Sequence, residues 1–275
     1  MGFPMAGHLK TKGHDVTVFN RSPEKAARWQ SLYGGHTAPG IAQAVGGARV
    51  VFACVGNDAD TREVALSAFA AMAPGGIYVD HTTASARVAK ELAETAKARG
   101  VGFLDAPVSG GQAGAEKGLL TIMCGGEAEV YARAEPLMNA YARSVRLLGE
   151  AGSGQLTKMV NQICIAGLIQ ALAEGMHFAK AVGLDAQAVV DVIAKGAAQS
   201  WQMDNRALSM IEGRFDFGFA VEWMRKDLSI CLEAAREAGA QLPVTALVDQ
   251  FYADVEAMGG RRWDTSSLMA RLKAR

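Results

Sequence analysis

The sequence predicts an α/β domain over residues 1–150, an all-helical domain over residues 151–275, and one long helix that begins at the joint. Three observations carry this reading. Apolar strand-like runs alternate with helical stretches as far as Gly149. Beyond that point strand-like runs stop and helical periodicity takes over. From Gln155 to about Val182 there is no proline, and alanine, leucine, isoleucine and methionine dominate.

Residues 5–12 read as a short helix, and His14 to Phe19 as a strand. Asn20-Arg21-Ser22-Pro23 then forms a turn into a helix, with Ser22 as N-cap and Pro23 at the first helical position. Apolar strands follow at Val50–Val55, Ile77–Asp80, Gly102–Pro107 and Leu120–Cys124, separated by helical stretches such as Thr61–Met72 and Ala84–Ala98. This alternation predicts a mostly parallel sheet covered on both faces. After Gly152-Ser153-Gly154 breaks the chain, the long helix leads into shorter ones near Ala186–Lys195, Gln199–Ile211, Val221–Ala238 and Pro243–Met258.

Composition narrows the function. The 275 residues carry 28 basic and 28 acidic side chains, a formal net charge of zero. No basic surplus points to nucleic acid or to an anionic membrane. No apolar run reaches the ~18 residues of a membrane span, and no signal peptide is expected. Cys54, Cys124, Cys164 and Cys231 are widely spaced. They make neither a metal-ligand pattern nor a disulfide framework, so a reducing, cytoplasmic setting is expected and no metal.

Several segments carry chemistry. A dinucleotide-binding unit of Rossmann type runs strand, glycine-rich turn, helix, strand, then a discriminating residue. Here Gly2 precedes a helix, and Asn20, Arg21 and Ser22 follow the strand that ends at Phe19. An arginine at that place suits a ribose 2′-phosphate, where an acid would take the 2′-hydroxyl; an exposed loop arginine is the plain alternative. Ser109-Gly110-Gly111 follows an apolar strand and offers a hydroxyl and unobstructed N–H groups to an anion, or is only a turn that needs glycine. Lys158 and Asn161, at i and i+3, share a helix face. A lysine so placed is either a surface residue or a proton donor to a carbonyl, and burial of an amine brings its pKa toward neutrality. Trp201 reads as core packing or a pocket wall. Lys226-Asp227-Leu228 reads as a solvated charged turn of a helix.

Taken together, these segments resemble the β-hydroxyacid dehydrogenase family, which includes 3-hydroxyisobutyrate dehydrogenase, tartronate semialdehyde reductase and the glyoxylate/succinic semialdehyde reductases. The resemblance runs through Met1-Gly2-Phe3-Pro4-Met5-Ala6, Asp80-His81-Thr82-Thr83, Asp105 to Gly111, Gly152-Ser153-Gly154 with Lys158 and Asn161, Ser200-Trp201, and Lys226-Asp227-Leu228. It implies a Rossmann-type domain and a helical domain, a small carboxylate-bearing substrate, NADP with NAD as the other possibility, and a homodimer or homotetramer. It also implies roles. Lys158 would donate or accept the proton. Asn161 would hold the substrate and help to place the lysine. Ser109, Gly110 and Gly111 would bind the carboxylate. Gly2, Asn20, Arg21, Ser22, Thr83 and Lys226 would contact the cofactor, with Val55 and Asn57 near the nicotinamide.

The chain departs from the family pattern in two places. Gln162 stands where a second asparagine is usual, and the family's first strand with its first two glycines would lie before Met1. The sheet is therefore expected to lack a central member. Two other readings stay open: a reductase of another carbonyl or imine on the same scaffold, and a non-catalytic dinucleotide-binding protein. Retention of the lysine argues against the imine reductases.

Overall fold

The computed structural model describes residues 1–273. The chain forms two compact units, Met1–Lys158 and Met159–Arg275.

The first unit alternates helix and strand. In chain order its helices are α1 (Gly2–Thr11), α2 (Pro23–Tyr33), α3 (Ile41–Val45), α4 (Asp58–Ala71), α5 (Ala86–Lys97), α6 (Gly111–Lys117) and α7 (Ala128–Met138). Its strands are β1 (Thr17–Val18), β2 (His36–Thr37), β3 (Val50–Ala53), β4 (Ile77–Asp80), β5 (Gly102–Asp105), β6 (Val108–Ser109), β7 (Leu120–Gly126) and β8 (Ala142–Leu147). β3, β4 and β5 are parallel, as expected. The rest of the sheet is mixed, which the sequence reading missed. β7 runs antiparallel to β5 and β6 and parallel to β8.

β1 and β2 pair only with each other, and β3 is the edge of a separate six-stranded sheet. The interior strand β4 is buried at all four positions, whereas Val50, Val51 and Phe52 of β3 are only partly buried. The strand expected over His14–Phe19 shortens to two residues, because its ladder has β2 alone to pair with. Met5 and Leu9 of α1 pack on the same core as Val16, Val50 and Phe52.

Ser109-Gly110-Gly111 is not a plain turn after a strand. β5 and β6 lie end to end along one edge of β7, with Asp105 opposite Gly125 and Val108 opposite Ile122. Ala106-Pro107 makes the break, since proline has no N–H for the ladder. Gly110 (φ 126°) and Gly111 (φ 62°) then turn the chain into α6, in backbone regions that a side chain would strain.

The second unit is helical. α8 (Ser153–Ala181) begins in the first unit and runs on into the second; α9 (Ala186–Ile193), α10 (Trp201–Glu212), α11 (Val221–Ala238), α12 (Pro243–Ala257) and α13 (Leu268–Lys273) follow, with a 3₁₀ turn at Thr265–Ser267. By length and mean hydropathy, α8 passes as a membrane-crossing helix, contrary to the sequence reading. Here its Ala166, Ile169, Leu172, Ala173 and Met176 lie in the core of the helical unit, while Val160, Leu168 and Phe178 are exposed. Trp201 is exposed rather than in the core, with the Arg206 guanidinium 5.0 Å from its ring centroid.

Candidate active site

In an open α/β sheet ligands gather outside the carboxyl ends of the parallel strands. Three such ends lie side by side here. After β3 come Cys54-Val55-Gly56-Asn57, after β4 His81-Thr82-Thr83, and after β5 Ala106-Pro107.

A buried carboxylate organises them. Asp105, at the end of β5, is fully buried and accepts hydrogen bonds from the backbone N–H groups of Gly152 (2.7 Å) and Gln155 (2.8 Å). It therefore satisfies two N–H groups at the start of α8, which no intrahelical carbonyl can reach. Glycine is needed beside it. A Cβ on Gly154 would come within 2.4 Å of the Met123 carbonyl oxygen and 2.5 Å of the Asp105 carbonyl oxygen. Burial pushes the Asp105 carboxyl up to about 7, against the pull of its N–H donors.

Gln155 carries the clamp onward. Its Nε2 donates to the Thr82 carbonyl (2.7 Å), and its Oε1 accepts from the Ala84 N–H (3.0 Å). Thr83 is bracketed between those contacts. Thr82 in turn accepts from the Val55 N–H through its hydroxyl (2.9 Å), which joins the ends of β3 and β4. Lys158 lies three residues beyond Gln155, on the same face of α8, and is buried to 7 % exposure. The reading of Lys158 as a snorkelling surface residue is thus overturned.

His81, second in Asp80-His81-Thr82-Thr83, has the surroundings of a structural clip. It is buried, with Nδ1 2.6 Å from the Ala106 carbonyl oxygen and Nε2 2.8 Å from the Tyr141 hydroxyl. A carbonyl only accepts, so Nδ1 carries the proton, and Tyr141 donates to Nε2. Burial drives the His81 pKa down to about 4 and the Tyr141 pKa well above its ordinary value, so both stay neutral.

The candidate cofactor residues come from more distant segments. Arg21, at the turn after β1, has a largely exposed side chain, and its Nη1 lies 3.3 Å from Asp60 Oδ1. Asp60 N–H donates to Asn57 Oδ1, the N-cap of α4 (3.0 Å). Arg21 and Asn57, 36 positions apart in sequence (57 − 21), are thereby two contacts apart. Asn20 Oδ1 accepts from the Ser22 N–H, while Ser22 sits at the N-cap of α2 with no side-chain cap bond. The first turn of α1, from Gly2, has no acidic residue and no side-chain cap. Helix N–H groups, a guanidinium and serine and asparagine side chains are the donor set that a phosphorylated dinucleotide needs.

In the second unit Lys226 and Asp227 form an ion pair at 3.0 Å on α11. The solvated reading fails for Asp227, which is 2 % exposed and accepts from Gln162 Nε2 (2.7 Å). Sequence reasoning also missed roles for Asp105 and Gln155. A carboxylate that ends an apolar strand, ahead of Ala-Pro, was the available signal.

Comparison with known proteins decides the family. Residues 1–149 match the NAD binding domain of 6-phosphogluconate dehydrogenase, and residues 152–272 match the NAD-binding segment of NADP-dependent 3-hydroxyisobutyrate dehydrogenase. The chain belongs to the β-hydroxyacid dehydrogenase family. It is 59% identical to an uncharacterized oxidoreductase of Shewanella frigidimarina, over 99% of this chain and 95% of that one. It is 32% identical to the 2-hydroxy-3-oxopropionate reductase of Escherichia coli, over 99% and 94%. The 3-hydroxyisobutyrate dehydrogenase of Mycobacterium tuberculosis, solved with L-serine, superposes with a TM-score of 0.90 at 31% identity, covering 100% of this chain and 96% of that one. Membership in this family makes the protein an NAD(P)-dependent oxidoreductase that acts on CH–OH groups.

The two buried groups give opposite pH dependences. Asp105 has a raised pKa, so its contribution to stability is complete below about 3.8 and is lost as pH rises through about 7. His81 has a lowered pKa, so its contribution is complete above 6.5 and is lost as pH falls toward about 4. Between those limits the two oppose each other. Relative to the parent, Asp105→Asn should make stability climb more steeply with pH, and His81→Gln should make it fall with rising pH. Urea titrations at roughly pH 4.5 and 6.5 measure the sign. Two variants with the parent's slope would contradict the assignment.

Proposed function

We propose that the protein is an NADP(H)-dependent dehydrogenase that interconverts a small β-hydroxy acid and its semialdehyde, with 3-hydroxyisobutyrate and 2-hydroxy-3-oxopropionate as the model substrates. The observation that carries this reading is the buried Lys158, one turn along a helix whose start is tied to the ends of β4 and β5.

A nicotinamide, when bound, takes the hydride from the substrate carbon or returns it. The chain's own residues do the rest. In oxidation the Lys158 amine takes the hydroxyl proton as the carbonyl forms, and in reduction its ammonium gives that proton back to the oxygen. Asn161 holds the substrate beside the lysine. The Ser109 hydroxyl and the N–H groups of Gly110 and Gly111 bind the carboxylate, with no side chain on either glycine to block approach. Thr83 and Lys226 would each contact the cofactor, with Val55 and Asn57 on the nicotinamide side, and Gly2, Asn20, Arg21 and Ser22 would take the phosphates. Preference for NADP(H) rests on Arg21, an exposed guanidinium where an acidic residue would select NAD(H).

Two variants test the parts separately. Lys158→Ala should lower kcat by about 10²–10⁴ for oxidation of 3-hydroxyisobutyrate, with little change in NADPH binding followed by fluorescence. A near-parental kcat would remove Lys158 from the chemistry. Arg21→Asp should move the NADPH/NADH ratio of kcat/KM toward NADH, because a carboxylate repels the 2′-phosphate and accepts from a ribose hydroxyl. Ser22 and Asn20 retain some phosphate contact, so the expected result is a shift short of full reversal. An unmoved ratio, or a parent that already prefers NADH, would reject the NADP assignment.

A further inference from the structure

Gln162 is the family departure that the reaction scheme leaves without a task, and its surroundings give it one. It is 2 % exposed. Its Nε2 donates to Asp227 Oδ2 at 2.7 Å, with Met224 Sδ at 3.6 Å, and its Oε1 accepts from Asn161 Nδ2 at 2.8 Å. Asp227, itself 2 % exposed, has its other oxygen 3.0 Å from Lys226 Nζ. A second tie, from Cys231 Sγ to the Met159 carbonyl oxygen at 3.6 Å, holds the same stretch of α11 against α8.

The chemistry of these four side chains fixes a direction. Asp227 is the carboxylate partner of the Lys226 ammonium and receives the Gln162 Nε2, and a carboxylate only accepts hydrogen bonds. Gln162 must therefore turn its NH₂ to Asp227, which leaves its carbonyl oxygen for Asn161. Asn161 must answer with its NH₂, so its Oδ1 faces away from Gln162. An asparagine amide is otherwise ambiguous, since either end makes a hydrogen bond with a hydroxyl. Length matters too: the glutamine side chain makes both contacts, to Asn161 at 2.8 Å and to Asp227 at 2.7 Å.

We infer that Gln162 and Asp227 are positioning residues which lock the Asn161 side-chain amide in one orientation, NH₂ toward Gln162 and carbonyl oxygen toward the substrate side. Asp227 is the shared anchor: it holds Lys226 directly and Asn161 through Gln162. The inference rests on the role proposed for Asn161, and its test is arranged so that the two fail separately.

The test is a double-mutant cycle on the full-length protein, with kcat and KM for 3-hydroxyisobutyrate oxidation by NADP⁺ as readouts. Asn161→Ala and Gln162→Met are made singly and together. Gln162→Met keeps side-chain length but removes both hydrogen bonds. If Gln162 acts through Asn161, Gln162→Met alone lowers kcat by about tenfold or more, as misplacement in a site does. The double variant is then no slower than Asn161→Ala alone. A merely structural role makes the two losses multiply. Asp227→Asn gives a second route, since an amide at 227 lets the chain of amides flip. It should lower kcat in the parent, leave it unchanged in the Asn161→Ala background, and raise KM for NADP⁺ in both through Lys226. Multiplying losses, or a parental Gln162→Met beside an impaired Asn161→Ala, would overturn the relay and leave the proposed function standing. A parental Asn161→Ala would overturn the role of Asn161 and the relay with it, while the Lys158 assignment keeps its own test.

Discussion

The contact between the Asp105 carboxylate and the first N–H groups of α8 is the constraint on which the arrangement of the site depends. It joins the end of a central strand to the start of the longest helix, with the Asp105 and Gln155 side chains both fully buried. The close approach is possible only because Gly154 has no side chain to fill it. Everything further along α8, Gln155 first and Lys158 next, inherits its position from that junction.

Charge and burial are in tension there. An ionised carboxylate suits a helix N-terminus, yet burial raises the cost of the charge. The neighbouring clip of His81 and Tyr141 solves a similar problem differently, with two neutral partners whose donors and acceptors are all assigned. Both devices serve the loop from Asp80 to Ser85, which is held from below by His81, from α8 by Gln155 and from α4 by Asp58, whose carboxylate accepts from the Ser85 N–H and hydroxyl. A loop tied at so many points presents Thr82 and Thr83 in one geometry. Preorganisation of this kind is what a hydride and proton transfer requires of its scaffold.

Much of this was legible in the sequence, for identifiable reasons. β4 and α11 were read with their observed bounds because their apolar patterns are uninterrupted and their ends are marked. β8 was not read at all: Ala142-Arg143-Ser144-Val145-Arg146-Leu147 buries only Val145 and reads as polar. The mixed sheet was missed because direction is a property of pairing between β5 and β7, not of either run alone. Of the site, Lys158, Ser109 and Arg21 were singled out by residue type and place. The partnership of Asp105 with Gln155 spans 50 positions, and that of Gln162 with Asp227 spans 65. No local pattern reports such contacts.

The most direct measurement for the clamp as the basis of the active site is the turnover of Gln155→Leu. Leucine matches the volume but breaks the bonds to Thr82 and Ala84, while Lys158 itself is untouched. A folded protein is expected whose kcat falls by about 10²-fold, as a displacement on the order of 1 Å would cause. A variant with normal thermal unfolding and a kcat within about twofold of the parent, far short of that loss, would contradict it. Lys158 would then owe its place to something other than the clamp at the start of α8.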